Sequence, residues 1–288
     1  MLTTQVDSRT MAAWFLGVVM AGVGLGSTAC DPGERGTLAV PSASAAAPAA
    51  SSKSSCDQLA GRLCTQFGRQ SATCGMVSSQ ATHLGSKRCA EMLSRYEQTV
   101  SQLERREAAQ KMLVDPRQTT PHGPAPAFGP EDAELTAVEF SDFTSRDCGR
   151  GSGITRSVRN LHGKTVRFVF RQYPNPKHPQ ARLAAEASLA AHAQGKFWEY
   201  HDTLFANPHD LSRPALERYA GVVGLDLVEF RRALDEKRYA EDVEKDLELG
   251  RAMFVYEVPA LFMNGKRARF PYGVKELGQV IDQARAAR

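Results

Sequence analysis

Beyond Cys89 this 288-residue chain carries one further cysteine, Cys148. A lone thiol there has no partner within the long C-terminal part, so no two-cysteine redox cycle can close inside it, and an unacylated Cys30 on a tether is the partner left open to Cys148. The earlier cysteines never fall at the C-x2–4-C spacing of a structural zinc site, which argues against a metal there. Charge of one sign is scarce as well. Lys and Arg number 36 against 32 Asp and Glu, and the small excess is spread along the chain, leaving no basic stripe for nucleic acid.

Nucleotide and hydrolase signatures are also missing. Gly149-Arg150-Gly151-Ser152-Gly153 follows a predicted strand, yet the third glycine of G-x-G-x-x-G would fall on Ile154, and no Walker lysine follows. Ser145 lacks a G-x-S-x-G elbow and a base that could be placed beside it. His178, His192, His201 and His209 show no ligand spacing with carboxylates, and His83 sits near a helix end at the surface. The sequence therefore implies no metal and no cofactor.

What is present begins with an export signal over residues 1–29. The run from Met11 to Gly26 carries no charge, follows Arg9, and is short and glycine-rich for a spanning helix. Ser27, Thr28 and Ala29 then precede Cys30. An ordinary signal peptidase would cut after Ala29. The stretch also resembles a bacterial lipoprotein signal, which cleaves the same bond and acylates the cysteine. It departs from that pattern in placing Leu25 five residues before Cys30 instead of three. A cysteine directly after the cleavage point favours lipidation at Cys30 and a membrane anchor. Residues 30–55 are Pro, Ala, Ser and Gly with few charges, which makes a flexible tether.

Residues 56–114 read as a small helical domain. Leu59, Leu63 and Phe67 form a helical stripe closed by Gly68, and Ser71 can cap a second helix to about His83. After the turn Leu84-Gly85-Ser86 one longer helix is expected, with Leu93, Tyr96, Val100 and Leu103 on one face. So small a segment needs covalent staples in an exported protein. Antiparallel helices would set Cys64 beside Cys74 and return Cys56 to Cys89, one of three possible connectivities.

A Pro-rich connector (115–134) leads to a last domain, 135–288. Thr136 to Phe143 and Thr165 to Tyr173 read as strands around a helix carrying Ile154, Val158 and Leu161, a β-α-β unit with a parallel pair. Helical patterns follow from Gln180 to Phe205, Leu216 to Val222, Leu227 to Leu234 and Tyr239 to Arg251. Ala260 to Met263, the turn Asn264-Gly265 and a returning strand near Arg267 to Phe270 make a hairpin before a helix from Val274.

Four motifs in this order resemble the DsbA-like branch of the thioredoxin superfamily. They are Val138-Glu-Phe-Ser-Asp-Phe143, Phe168-Val-Phe-Arg171, Gly195-Lys-Phe-Trp-Glu199 with His201, and Val258-Pro259-Ala260-Leu261-Phe262-Met263-Asn264-Gly265. The resemblance implies an α/β thioredoxin-like fold with a helical insertion, here preceded by the small all-α stapled segment. It further implies disulfide exchange on extended or cysteine-containing polypeptides in a bacterial envelope, and a cis Val258–Pro259 bond facing the active-site helix.

By the same resemblance Ser145 stands where the attacking cysteine belongs and Cys148 where the resolving one does. A serine hydroxyl does not ionise at neutral pH, so the dithiol cycle is unavailable. Arg146 and the helix N-terminus would favour a Cys148 thiolate, while Asp147 and burial would oppose it. Gly149, Gly151 and Gly153 weaken the first turns, each by about 1 kcal/mol against Ala, so a late helix start is expected. Two functions remain open: an envelope oxidoreductase relative with an altered or lost dithiol activity, and a redox-inactive adaptor or holdase that binds polypeptides beside Pro259.

Overall fold

The computed structural model describes residues 54–115 and 118–287. The export signal at 1–29, nearly all of the 30–55 tether and the acylation candidate Cys30 lie outside those residues.

Four helices come first: α1 (Ser55–Phe67), α2 (Ala72–Leu84), α3 (Ser86–Ser94) and α4 (Tyr96–Val114). α1 opens on a capping box in which the Ser54 hydroxyl accepts the Asp57 N–H and the Asp57 carboxylate accepts the Ser54 N–H, each at 3.2 Å. Two donors that the helix itself cannot satisfy are thereby paired. Leu59, Leu63, Val77, Val100 and Leu103 form a small core. It is stapled by Cys56–Cys89, with Cα atoms 5.0 Å apart, and Cys64–Cys74, at 4.6 Å.

The single helix expected after Gly85 is two. The chain breaks at Arg95 (φ −118°, ψ 41°), where the Thr99 hydroxyl reaches the Met92 and Arg95 carbonyls at 3.0 and 3.1 Å. A side chain that supplies its own donor to the backbone competes with the regular ladder, and hydrophobic periodicity does not register it. α4 then leaves the small core. Ala109 and Leu113 near its C-terminus pack with Val138, Phe140 and Phe262 of the sheet.

The remaining elements are β1 (Thr119–Thr120), β2 (Gly123–Pro124), β3 (Ala127–Phe128), β4 (Leu135–Ser141), α5 (Arg146–His162), β5 (Val166–Gln172), α6 (Ala181–Ala193), α7 (Phe197–Ala206), α8 (Arg213–Val222), α9 (Leu227–Asp235), α10 (Ala240–Ala252), β6 (Ala260–Met263), β7 (Lys266–Ala268) and α11 (Val274–Ala286). The main sheet runs β3-β5-β4-β6-β7. β4 and β5 are parallel and every other pair is antiparallel. This is a thioredoxin-like α/β fold with α6 to α10 inserted between β5 and β6. β1, β2 and β3 lie in the stretch read from sequence as a connector. Two-residue strands flanked by prolines show no alternation to read.

β4 is buried along its whole length, and its alternating side chains serve two faces. Leu135 and Ala137 meet Ile154 and Val158 of α5 and Leu277 and Ile281 of α11. Val138 and Phe140 meet α4 and α10 on the other face. Beside them the buried Arg171 on β5 donates to Asp246 of α10 at 2.8 Å and to Gln118 at 2.8 and 3.2 Å, while Asp246 also accepts the Gln172 N–H at 2.8 Å. A buried guanidinium is tolerated there because its charge and its donors are matched. Leu161, read as an inward position of α5, is instead exposed. The helical run from Gln180 is broken at Gly195, whose φ of 71° favours glycine. His201 is fully buried among Phe143, Phe170, Phe197, Trp198 and Phe205.

Candidate functional site

β4 delivers the chain into the turn Asp142-Phe143-Thr144-Ser145, and the Asp142 carboxylate fixes that turn. It accepts the Thr144 N–H and hydroxyl, both at 2.8 Å, and reaches across to the Asn175 N–H at 2.9 Å. The loop after β5 is thereby tied to the start of α5. Ser145 is the N-cap of that helix (φ −80°, ψ 124°), and its hydroxyl accepts the Cys148 N–H at 3.3 Å.

The helix starts at Arg146 and runs unbroken to His162, so the late start expected from the glycines does not occur. The cap supplies part of the reason. Packing supplies the rest at Gly151, where a Cβ would lie 2.7 Å from Cε1 of Phe270 and 3.7 Å from Cγ of Pro259. Only a glycine lets α5 approach the Pro259 loop that closely. Gly153 has nothing within 4 Å of the same position.

Cys148, at the inner side of the first turn, is fully buried and is a free thiol. Its Sγ accepts the Asp142 N–H at 3.4 Å. Burial is the dominant influence and pushes its pKa up to about 11, against the opposing pull of the Ser141 and Ser145 hydroxyls and the Asp142 amide. The neighbouring Glu139 carboxyl adds to the rise. Glu139 is itself buried on β4, and loss of solvent raises it to about 7 although the Thr155 hydroxyl donates to it at 3.0 Å. Asp147 turns outward and pairs with Arg150 at 2.6 Å. Desolvation therefore decides the protonation of Cys148, and the charged neighbours in the sequence do not.

The Val258–Pro259 peptide bond is cis. Ser145, Arg146, Tyr256, Val258, Pro259 and Tyr272 line one open groove of about 1030 Å³. Tyr256 and Tyr272 are largely exposed on its rim. Of the residues singled out from sequence, Ser145, Val258 and Pro259 meet in this groove, while Cys148 lies behind its wall. The four paired cysteines belong to the helices before the sheet. Sequence reasoning met Glu139 and Asp142 only as letters of a motif, read Gly151 only as weakening the helix, and passed over the two tyrosines. A charged residue inside the otherwise apolar Ala137-Val138-Glu139-Phe140 run was the available signal for Glu139. Among the described residues no cluster of three or more His, Cys, Asp or Glu side chains could hold a metal ion.

Residues 122–283 match a family model described as Thioredoxin. Among curated proteins, the Na(+)/H(+) antiporter NhaA of Herminiimonas arsenicoxydans is 38% identical over 157 residues, covering 54% of this chain and 25% of the antiporter. Antiporter NhaA 3 of Salinispora tropica is 37% identical over 160 residues, covering 55% and 24% respectively. The chain thus spans about a quarter of the length of these relatives. Among solved structures, the thiol-disulfide exchange protein α-DsbA2 of Wolbachia pipientis superposes with a TM-score of 0.53 at 18% identity, covering 62% of this chain and 97% of that one. A thioredoxin-like oxidoreductase from Silicibacter pomeroyi gives 0.54 at 24% identity, covering 62% and 98%. Both likenesses are likenesses of fold.

Proposed function

The chain belongs to the thioredoxin family, and on that premise we propose that it is a DsbA-like polypeptide-binding protein of the bacterial envelope in which the two-cysteine exchange cycle does not run. One observation carries this reading. The residue that faces the groove is Ser145, and the only free thiol among the described residues, Cys148, is buried behind it and held protonated. A nucleophile has to be both ionised and accessible, and neither residue is both. The open groove beside Val258 and Pro259, rimmed by Tyr256 and Tyr272, is left as a site for an extended segment, including a cysteine-containing one.

Two disulfides in the described residues suit an oxidising compartment. Export through the signal at 1–29, acylation of Cys30 and a tether over 30–55 would hold the protein at a membrane surface. The stapled helices (56–114) and the DsbA-like domain (135–288), whose sheet also takes in β3 from the 115–134 stretch, would then project from it.

The test is a pair of measurements on the full chain. Dithiol oxidation and disulfide reduction should show no turnover that depends on Cys148, and an unfolded fluorescent peptide should bind saturably. Val258→Arg, which fills the groove, should weaken that binding. Turnover that disappears in Cys148→Ala would overturn the inactive reading, and absence of peptide binding would overturn the polypeptide reading.

A further inference from the structure

The two disulfides differ in their surroundings in a way that a pair of simple staples would not require. Cys56–Cys89 is enclosed: Cys89 is fully buried, Cys56 nearly so, and both sulfurs belong to the core with Leu59, Leu63 and Val100. Cys64 of the other pair is only half-buried, while its partner Cys74 is buried. Cys64 is therefore the least enclosed of the four paired cysteines, and its side of the bond is the one an incoming thiolate would approach.

The helices around this pair point the bond the same way. Cys64 lies in the last turn of α1, where exposed carbonyls oppose negative charge. Cys74 lies in the first turn of α2, a 13-residue helix capped by Ser71, whose hydroxyl accepts the Cys74 N–H at 3.0 Å. Charge on Cys74 Sγ is favoured there by the helix N-terminus. The Ser78 hydroxyl stands 3.6 Å from Cys64 Sγ and 3.9 Å from Cys74 Sγ, close enough to turn its proton toward whichever sulfur becomes charged. In exchange reactions the sulfur attacked is the accessible one, and the sulfur that leaves is the one whose surroundings better favour its negative charge. Here those are Cys64 and Cys74.

We infer that Cys64–Cys74 is an exchangeable disulfide that accepts electrons from external thiols, with Cys64 the sulfur attacked and Cys74 the leaving group. In the first step a thiolate bonds to Cys64 Sγ, the Cys64–Cys74 bond breaks, and its electron pair stays on Cys74 Sγ. A second thiol, or the second sulfur of a dithiol, then attacks the external sulfur of this mixed disulfide. That step releases a new disulfide and a Cys64 thiolate, which takes a proton from water. Two thiols are oxidised to one disulfide and the protein gains two electrons. Opening this pair, separated by 10 residues in sequence, releases a smaller closed loop than opening Cys56–Cys89, separated by 33. The four-helix segment accordingly keeps its enclosed staple while Cys64–Cys74 cycles.

The test uses the oxidised full-length protein. It is mixed with glutathione or limiting dithiothreitol, quenched with a thiol alkylator, and mapped by peptide mass, with far-UV circular dichroism recorded in parallel. Cys64 and Cys74 should become alkylated together, about tenfold or more faster than Cys56 and Cys89, without loss of helix. The glutathione adduct should be found on Cys64, and Ser78→Ala should slow its formation. Simultaneous opening of both disulfides, earlier opening of Cys56–Cys89, or an adduct on Cys74 would each overturn the inference. Cys148 is mapped separately in the same digest, so this outcome is independent of the function proposed for the groove.

Discussion

Ser145 Oγ accepts the Cys148 N–H at 3.3 Å. Ser145 thus serves as the cap of the helix whose first turn buries Cys148. Serine is among the preferred N-caps, worth about 1 kcal/mol over alanine. The turn held by Asp142 and the cis Val258–Pro259 bond lie beside that cap.

On the reading proposed for the groove, Ser145→Cys is a gain-of-function variant. It places two thiols at the N-cap and N3 positions of α5, and they should close a disulfide after air or glutathione oxidation. Intact mass should fall by two hydrogens relative to the reduced variant. Disulfide exchange on a dithiol peptide should rise well above the level of the unmodified protein.

Alkylation of Cys148 should be nearly absent at neutral pH in the folded protein and complete after denaturation. With its pKa raised from about 9 to about 11, the unfolded chain loses the thiol proton first as pH rises. The thiol's contribution to stability is therefore fully present below pH 9 and lost between pH 9 and 11, amounting to about 2–3 kcal/mol. Denaturant titrations across that window, compared with Cys148→Ala, would read this slope.

Glu139 imposes a slope of the same sign at lower pH. Its carboxyl is raised from 4.5 to about 7, so between those values the unfolded chain is ionised while the folded one is protonated. Stability should fall across pH 4.5–7, by up to about 3 kcal/mol for this group. Glu139→Gln should flatten that decline in chemical denaturation. A decline unchanged by the substitution would assign it to other groups.

Two glycines two residues apart should respond oppositely to alanine. Gly153→Ala adds a methyl into open space and should stabilise α5 by about 0.5–1 kcal/mol. Gly151→Ala drives a methyl into Phe270 beside Pro259, and the overpacking should cost about 1–3 kcal/mol. Thermal melts of the two variants give the comparison directly.

Much of the architecture was legible in the residues. The alternation from Thr136 to Phe143, the paired strand ending at Tyr173 and the Asn264-Gly265 turn became β4, β5 and the β6–β7 hairpin. Each is governed by a local period or by a turn that demands particular residues. The short strands β1, β2 and β3 escaped because two residues carry no period. The break at Arg95 escaped because it follows from one hydroxyl, Thr99, and not from a pattern.

At the site, the sequence by itself determined that a serine stands three residues before Cys148 and that no other cysteine follows Cys89. It could not assign the state of Cys148, because helix N-terminus, Arg146, Asp147 and burial pull in different directions and their balance depends on distance and solvent. The tertiary structure decided it by turning Asp147 outward to Arg150, enclosing the thiol beside Glu139, and bringing Gly151 against the Pro259 loop. Residue identity sets which charges can exist, and only the packed chain sets how much water each one loses.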